Sequence, residues 1–226
     1  MTVPFGPTPA DRALLDRVAA LAAGFAADAA GYDERAEIPV ANLDALRDAG
    51  VTRAILPVAL GGDGMGYQGF GELVRLVAKG DPSTATILTM HTGAGVGLAE
   101  LTRDSLGTFF ADELLAGKRF ANALSEPTSG NRFLNPQQEA RPVDGGWALD
   151  GTKRFVSGSE IADYLLVNAQ QDRRRGRPAR GADRRRLGVP AQLAHPAAPA
   201  RRGGGTAHWP IRPRCSPGRS ASRCSA

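Results

Sequence analysis

Cysteine is absent from the first 214 residues of this 226-residue chain, and the only two, Cys215 and Cys224, fall near the end. No disulfide framework and no thiolate metal site can therefore support the patterned part, and no metal is expected. That usage suits a reducing, cytoplasmic setting. No apolar run reaches the ~18 residues needed to span a bilayer, and no charged-then-apolar leader opens the chain, so a membrane is not an expected partner. Residues 170–226 lack Lys, Phe, Tyr, Asn, Met and Glu altogether, yet hold 14 Arg. Residues 1–169 carry 14 Lys and Arg against 21 Asp and Glu, so the body is acidic. The formal net charge of +5 belongs to the tail alone and does not mark a basic fold.

What is present is patterned up to Ala169. Apolar residues Leu14, Leu15, Val18, Leu21, Ala22 and Phe25 recur at helical spacing and predict a helix from Asp11 to about Ala30, with Asp11 as N-cap. A second helix is expected over Pro39–Ala49, with Pro39 in the first turn and Gly50 as the stop. Ala54–Tyr67, AILPVALGGDGMGY, contains a strand-like ILPV and then a glycine-rich run. Its spacing is wrong for a phosphate-cradling GxGxxG opening a crossover helix, so a tight surface turn is expected. Tyr67–Lys79, Pro82–Leu101 and Arg103–Ala116 read as three further helices, the middle one rich in small residues and therefore buried. His91 lies in it without a second metal-like ligand and reads as a packing histidine.

From Arg119 the period changes. RFANALSE, QQEARPV, WALDGTKRFVSG and DYLLVNA are β-rich, and Asp144-Gly145-Gly146 and Asp150-Gly151 are hairpin-type turns. The fold class is thus α+β: an all-helical domain over 1–117, an incomplete antiparallel β-domain over 118–169, and a disordered Arg/Pro/Ala/Gly-rich tail over 170–226.

Two stretches carry chemistry. The first is Ser125-Glu126-Pro127-Thr128-Ser129-Gly130-Asn131-Arg132; the second is Gly151-Thr152-Lys153-Arg154-Phe155-Val156-Ser157-Gly158, followed by Ala162-Asp163-Tyr164-Leu165-Leu166-Val167. In this order, after LRDAGVTRAILPVALGGDGMGY, they resemble the N-terminal half of the acyl-CoA dehydrogenases over about residues 10 to 169. The resemblance implies an oxidoreductase that uses FAD to desaturate acyl-CoA thioesters. It implies a homo-oligomer that hands electrons to an electron-transfer flavoprotein or another acceptor. It places flavin contacts at Leu124, Ser125, Phe155, Val156 and Ser157, and acyl-CoA contact at Asn131. Glu126 is expected to fix the turn and not to act as base. Asn131-Arg132 and Phe155-Val156-Ser157-Gly158 depart from the strict dehydrogenase pattern. They keep open a second chemistry on the same fold, that of flavin-dependent monooxygenases similar to desulfurisation enzymes.

In the family the carboxylate that removes the α-proton lies in a C-terminal helical bundle, and no catalytic residue is expected among these 226. The chain is accordingly expected to be truncated and inactive by itself. An open sheet edge is expected after Ala169. The tail reads as a frameshifted translation, since Ala207–Arg214 read from the second codon base permits a x-Thr-Gly-Pro-Ser-Asp-Leu-Val product. A nucleic-acid-binding role for the arginines is the third reading, disfavoured because Trp209 is the only aromatic among them.

Overall fold

The computed structural model describes residues 7–102, 105–127, 136–143, 146–149, 151–171, 192–194 and 209–211. The chain divides into two compact units, Met1–Asn122 with Ser157–Asp163, and Ala123–Val156 with Tyr164–Ala226.

The first unit is helical, and its elements follow the apolar spacing closely. Helix α1 (Pro9–Arg35) buries Leu14, Leu15, Val18, Ala22 and Phe25 on one face. Its N-cap is Thr8, not Asp11. Thr8 Oγ1 accepts the Asp11 N–H at 3.1 Å, and the Asp11 carboxylate accepts the Thr8 N–H at 2.7 Å. This reciprocal box moves the start two residues upstream, with Pro9 pre-set for the first turn. Helix α2 (Val40–Asp48) takes Pro39 as its N-cap residue and buries Asn42 and Leu46.

The strand-like ILPV is not a strand. Helix α3 (Val51–Ile55) and a 3₁₀ turn at Val58–Leu60 replace it. A four-residue apolar run has no period of its own, and here helix α3 opens directly after left-handed Gly50, φ 90°. The glycine-rich run folds back on α3: the N–H groups of Asp63, Gly64 and Met65 donate to the carbonyls of Arg53, Leu56 and Ala54. Those donors are spent within the chain, as a tight turn requires.

Helix α4 (Tyr67–Gly80) packs against α1, burying Leu73 and Val77 completely. The two backbones touch: a Cβ on Gly80 would lie 2.0 Å from the Ala22 carbonyl oxygen. Helix α5 (Pro82–Leu101) packs against both α4 and α6 (Ser105–Leu115), and buries Thr84, Ala85, Leu88, Ala94, Gly95, Leu98 and Ala99. Val18, Leu46, Leu73 and Val77, each at most 1% exposed, contribute roughly 1.5–3 kcal/mol apiece by burial. No covalent cross-link is needed to hold such a core.

Strand β1 (Phe120–Ala123) leads from the helices to the second unit. There β2 (Glu139–Val143), β3 (Gly146–Leu149), β4 (Tyr164–Val167), β5 (Gln170–Gln171), β6 (Gln192–Ala194) and β7 (Trp209–Ile211) follow. One sheet has the order β5-β2-β3-β7. It is mixed, not purely antiparallel: β2 and β3 pair antiparallel from Ala140–Leu149 to Val143–Gly146, while β5 joins β2 in parallel. Strand β6 pairs antiparallel with β4, and β7 with β3.

Three of these strands lie beyond Ala169, so disorder does not hold for their eight residues, and the sheet does not end at an open β2 or β3. Unpaired backbone N–H and C=O groups on an edge accept any extended segment whatever its side chains. Pro210 sits in β7 at the end of the strand order, where a missing N–H is tolerated.

Candidate functional site

The second unit brings the two motifs side by side. Ser125 and Arg154 form an antiparallel bridge in which the Arg154 N–H donates to the Ser125 carbonyl at 2.8 Å. Leu124 and Ser125 leave β1 directly, and both are partly buried. On the other segment, Val156 packs against the small core of Ala123, Ala140, Leu149 and Val167.

Phe155 does not pack. It is 88% exposed and holds a left-handed backbone with φ 55°. That conformation costs a non-glycine residue on the order of 1 kcal/mol. An aromatic ring displayed from a strained backbone beside the bridge offers a flat apolar face at a polar edge, which is what an isoalloxazine ring requires. Ser157, the next expected contact, begins the Ser157–Asp163 stretch of the helical unit and is partly buried. Asn131, the expected acyl-CoA contact, lies among residues 128–135, outside the described residues.

Beneath the bridge lies a buried polar cluster. Glu126 Oε1 accepts from Lys153 Nζ at 2.7 Å, while the N–H groups of Gln137 and Gln138 donate to its two oxygens at 2.7 and 3.3 Å. Lys153 Nζ also donates to the carbonyl and the Oδ1 of Asn168, both at 2.8 Å. The Glu126 and Lys153 side chains are 2% and 10% exposed. Burial pushes the Glu126 carboxyl up, but the Lys153 and backbone donors outweigh it and leave it below the ordinary carboxylate range. Burial pulls the Lys153 ammonium down against the attraction of Glu126. Glu126 thus fixes the turn. With three donor contacts it is poorly suited to take a proton from substrate.

Sequence reading found Glu126 but missed Lys153 as its partner and Asn168 as the second acceptor of Lys153. The signal was a lone Lys placed after a Gly-turn, 27 residues from a Glu before proline, which has no meaning until the strands pair.

The helical unit presets the chain entering β1. The Asp163 carboxylate accepts from Lys118 Nζ at 3.1 Å and from the Arg119 N–H at 2.8 Å, and the Asp163 N–H returns a bond to the Arg119 carbonyl. His91 Nδ1 accepts the Phe120 N–H at 3.0 Å, and Asn122 Nδ2 donates to the Met90 carbonyl at 3.2 Å. His91 is therefore a packing histidine that ties α5 to β1. Burial, helped by the charge of Arg119, pulls its pKa down to about 4. A cavity of about 40 Å³ beside it, lined in part by Leu46, Ile87, Phe120, Gly158 and Ile161, has room for water.

Residues 8–117 match the family model of the acyl-CoA dehydrogenase N-terminal domain. A putative acyl-CoA dehydrogenase of Bacillus subtilis (strain 168), YdbM, is 31% identical over 162 residues, covering 70% of this chain and 42% of its own length. A probable FMNH2-dependent monooxygenase of Pseudomonas putida, SfnC, is 28% identical over 158 residues, covering 70% of this chain and 38% of its own. The structure of butyryl-CoA dehydrogenase from Megasphaera elsdenii superposes with a TM-score of 0.63 at 24% identity, over 77% of this chain and 47% of that one, which is a likeness of fold. The chain spans about two fifths of the length of the curated relatives it matches. Over residues 8–117 the chain carries the N-terminal domain of the acyl-CoA dehydrogenase family, and its relatives support a flavoprotein of that family.

Proposed function

We propose that this chain is the flavin-contacting part of an FAD-dependent oxidoreductase acting on a CH–CH bond of an acyl-CoA thioester. The observation that carries the reading is the Ser125–Arg154 bridge beside exposed, left-handed Phe155. It joins the two motif segments and leaves an aromatic face and backbone polar groups together. FAD, when bound, supplies the two-electron acceptor. Leu124 and Ser125 would meet its polar edge through backbone and hydroxyl groups, Phe155 and Val156 would lie against its ring, and the Ser157 hydroxyl would donate to it. Donors so placed favour the negative charge that reduction brings. Asn131 is the proposed contact to the acyl-CoA arm, and an electron-transfer flavoprotein or similar acceptor the proposed electron partner. The domains proposed are 1–117 and 118–169, with 170–226 as the tail. Fatty acid metabolism in the cytoplasm, as part of a homo-oligomer, is the setting proposed.

A second chemistry has one specific support: SfnC, described as a probable FMNH2-dependent monooxygenase, matches as much of the chain as YdbM does. The acyl-CoA reading is preferred because YdbM is the more similar of the two.

Titration of the purified chain with FAD and with FMN, read by quenching of flavin fluorescence, tests the proposal. Weak but saturable FAD binding is expected. Phe155→Ala should weaken it about two- to tenfold, the worth of one aromatic face. No binding of either flavin, or binding indifferent to Phe155 and Ser125→Ala, would overturn it. Preference for FMN would favour the monooxygenase.

A further inference from the structure

We propose that Lys153 is a positioning residue: by saturating Glu126 and holding Asn168, it sets the register in which Ser125 meets Arg154. The consequence for flavin rests on the function proposed above; the register itself does not.

The pair differs from every other ion pair among the described residues. In the seven others both side chains are at least 27% exposed, whereas Glu126 and Lys153 are 2% and 10%. A buried pair is weak as a source of stability, because apolar side chains of the same volume often do as well. What it provides is direction. An ammonium has three N–H donors, and all three are placed here, on Glu126 Oε1, the Asn168 carbonyl and Asn168 Oδ1. Those acceptors sit just after β1 and just after β4, while the Glu126 carboxylate also holds the two N–H groups that enter β2. Gln138 repeats the tie, donating through Nε2 to the Thr152 carbonyl at 2.9 Å and accepting the Gln170 N–H at 2.7 Å.

One residue along each segment is the Ser125–Arg154 bridge, which stands isolated, outside any named strand. No ladder extends it, so the ladder cannot set its register. A slip of one residue would turn Ser125 and Phe155 to other faces. Lys153 and Glu126 are the immediate neighbours able to prevent that slip.

The test uses the full chain and three variants: Lys153→Met, Lys153→Arg, and the double Glu126→Gln/Lys153→Met. Thermal unfolding, hydrogen exchange at the Arg154 amide, and FAD affinity are measured on each. Lys153→Met strands a buried carboxylate, so the double variant, which removes both charges, carries the test if the single variant does not fold. The expected result is that the double variant melts near wild type while its Arg154 amide exchanges about tenfold faster or more and FAD binds correspondingly weaker. Lys153→Arg, which keeps charged donors, should retain much of the protection. A double variant with wild-type melting and wild-type Arg154 protection would overturn the proposal, and so would one that cannot fold, since the pair would then be structural. If wild type binds no FAD, the functional reading falls while the Arg154 amide still decides the register.

Discussion

Phe155 stands where the two demands on one residue oppose each other. Its backbone is left-handed and its ring is exposed, so it contributes strain and almost no burial. Phe155→Gly should therefore raise the stability of the β unit by about 1 kcal/mol, since glycine adopts φ 55° without a Cβ penalty. The same change should weaken FAD binding at least as much as Phe155→Ala does. Chemical denaturation and flavin titration of one preparation check both signs, and loss of stability would show that the ring packs on something. His91 gives a second single-residue test. It must stay neutral to accept the Phe120 N–H, and its pKa is held at about 4 against an ordinary 6.5. Its contribution is complete above pH 6.5 and is lost as pH falls towards 4, because the unfolded chain takes up the proton first. The loss is on the order of 3 kcal/mol. His91→Gln, which keeps an acceptor without a titration, should flatten stability against pH between 6.5 and 4 relative to wild type.

At the scale of elements, helix ends decide more than helix middles. Asp81 caps α5 through Ser83 and Thr84 N–H groups at 2.9 and 3.3 Å, and its buried carboxylate also accepts from Asn42 Nδ2 on α2 at 3.3 Å. Asp81→Ala should cost about 2 kcal/mol, a cap plus a buried bond left unmade, read as a lowered thermal midpoint by circular dichroism. Ala36 ends α1 in the left-handed region at φ 50°, and Ala36→Gly should gain about 1 kcal/mol in the same measurement. These elements also show how far the sequence can be read. The stripe from Leu14 to Phe25 and the small-residue surface of Pro82–Leu101 were legible because apolar spacing repeats over several turns. The cap of α1 was misplaced because Thr8 and Asp11 are both good capping residues, and only the reciprocal bonds assign their roles. ILPV was misread because four residues cannot show a period. Motif context singles out Ser125, Glu126, Phe155 and Ser157 in the sequence, whereas the joining of Lys153 to Asn168 depends on where strands lie and leaves no local mark.

Among the described residues, the two units have apolar clusters of unequal size. The helical unit centres on a large cluster that includes Val18, Leu46, Leu73 and Val77; the β unit has the small cluster of Ala123, Ala140, Leu149 and Val167. Both tryptophans, Trp147 and Trp209, belong to the β unit, and all six α-helices to the other, among the described residues. Tryptophan fluorescence and helical circular dichroism should therefore give different denaturation midpoints, the fluorescence change coming first; coincident curves would mean one cooperative unit. The sequence alone determined the helices, the change to β structure after Arg119 and the two motifs, because each is written in local spacing and residue chemistry. Tertiary structure decided that Ser125 meets Arg154, that Lys153 neutralises Glu126, and that backbone beyond Ala169 pairs with the sheet. Each of those depends on hydrogen bonds between segments distant in the chain, and such bonds are specified by the register of strands and by burial, not by the residues on either side.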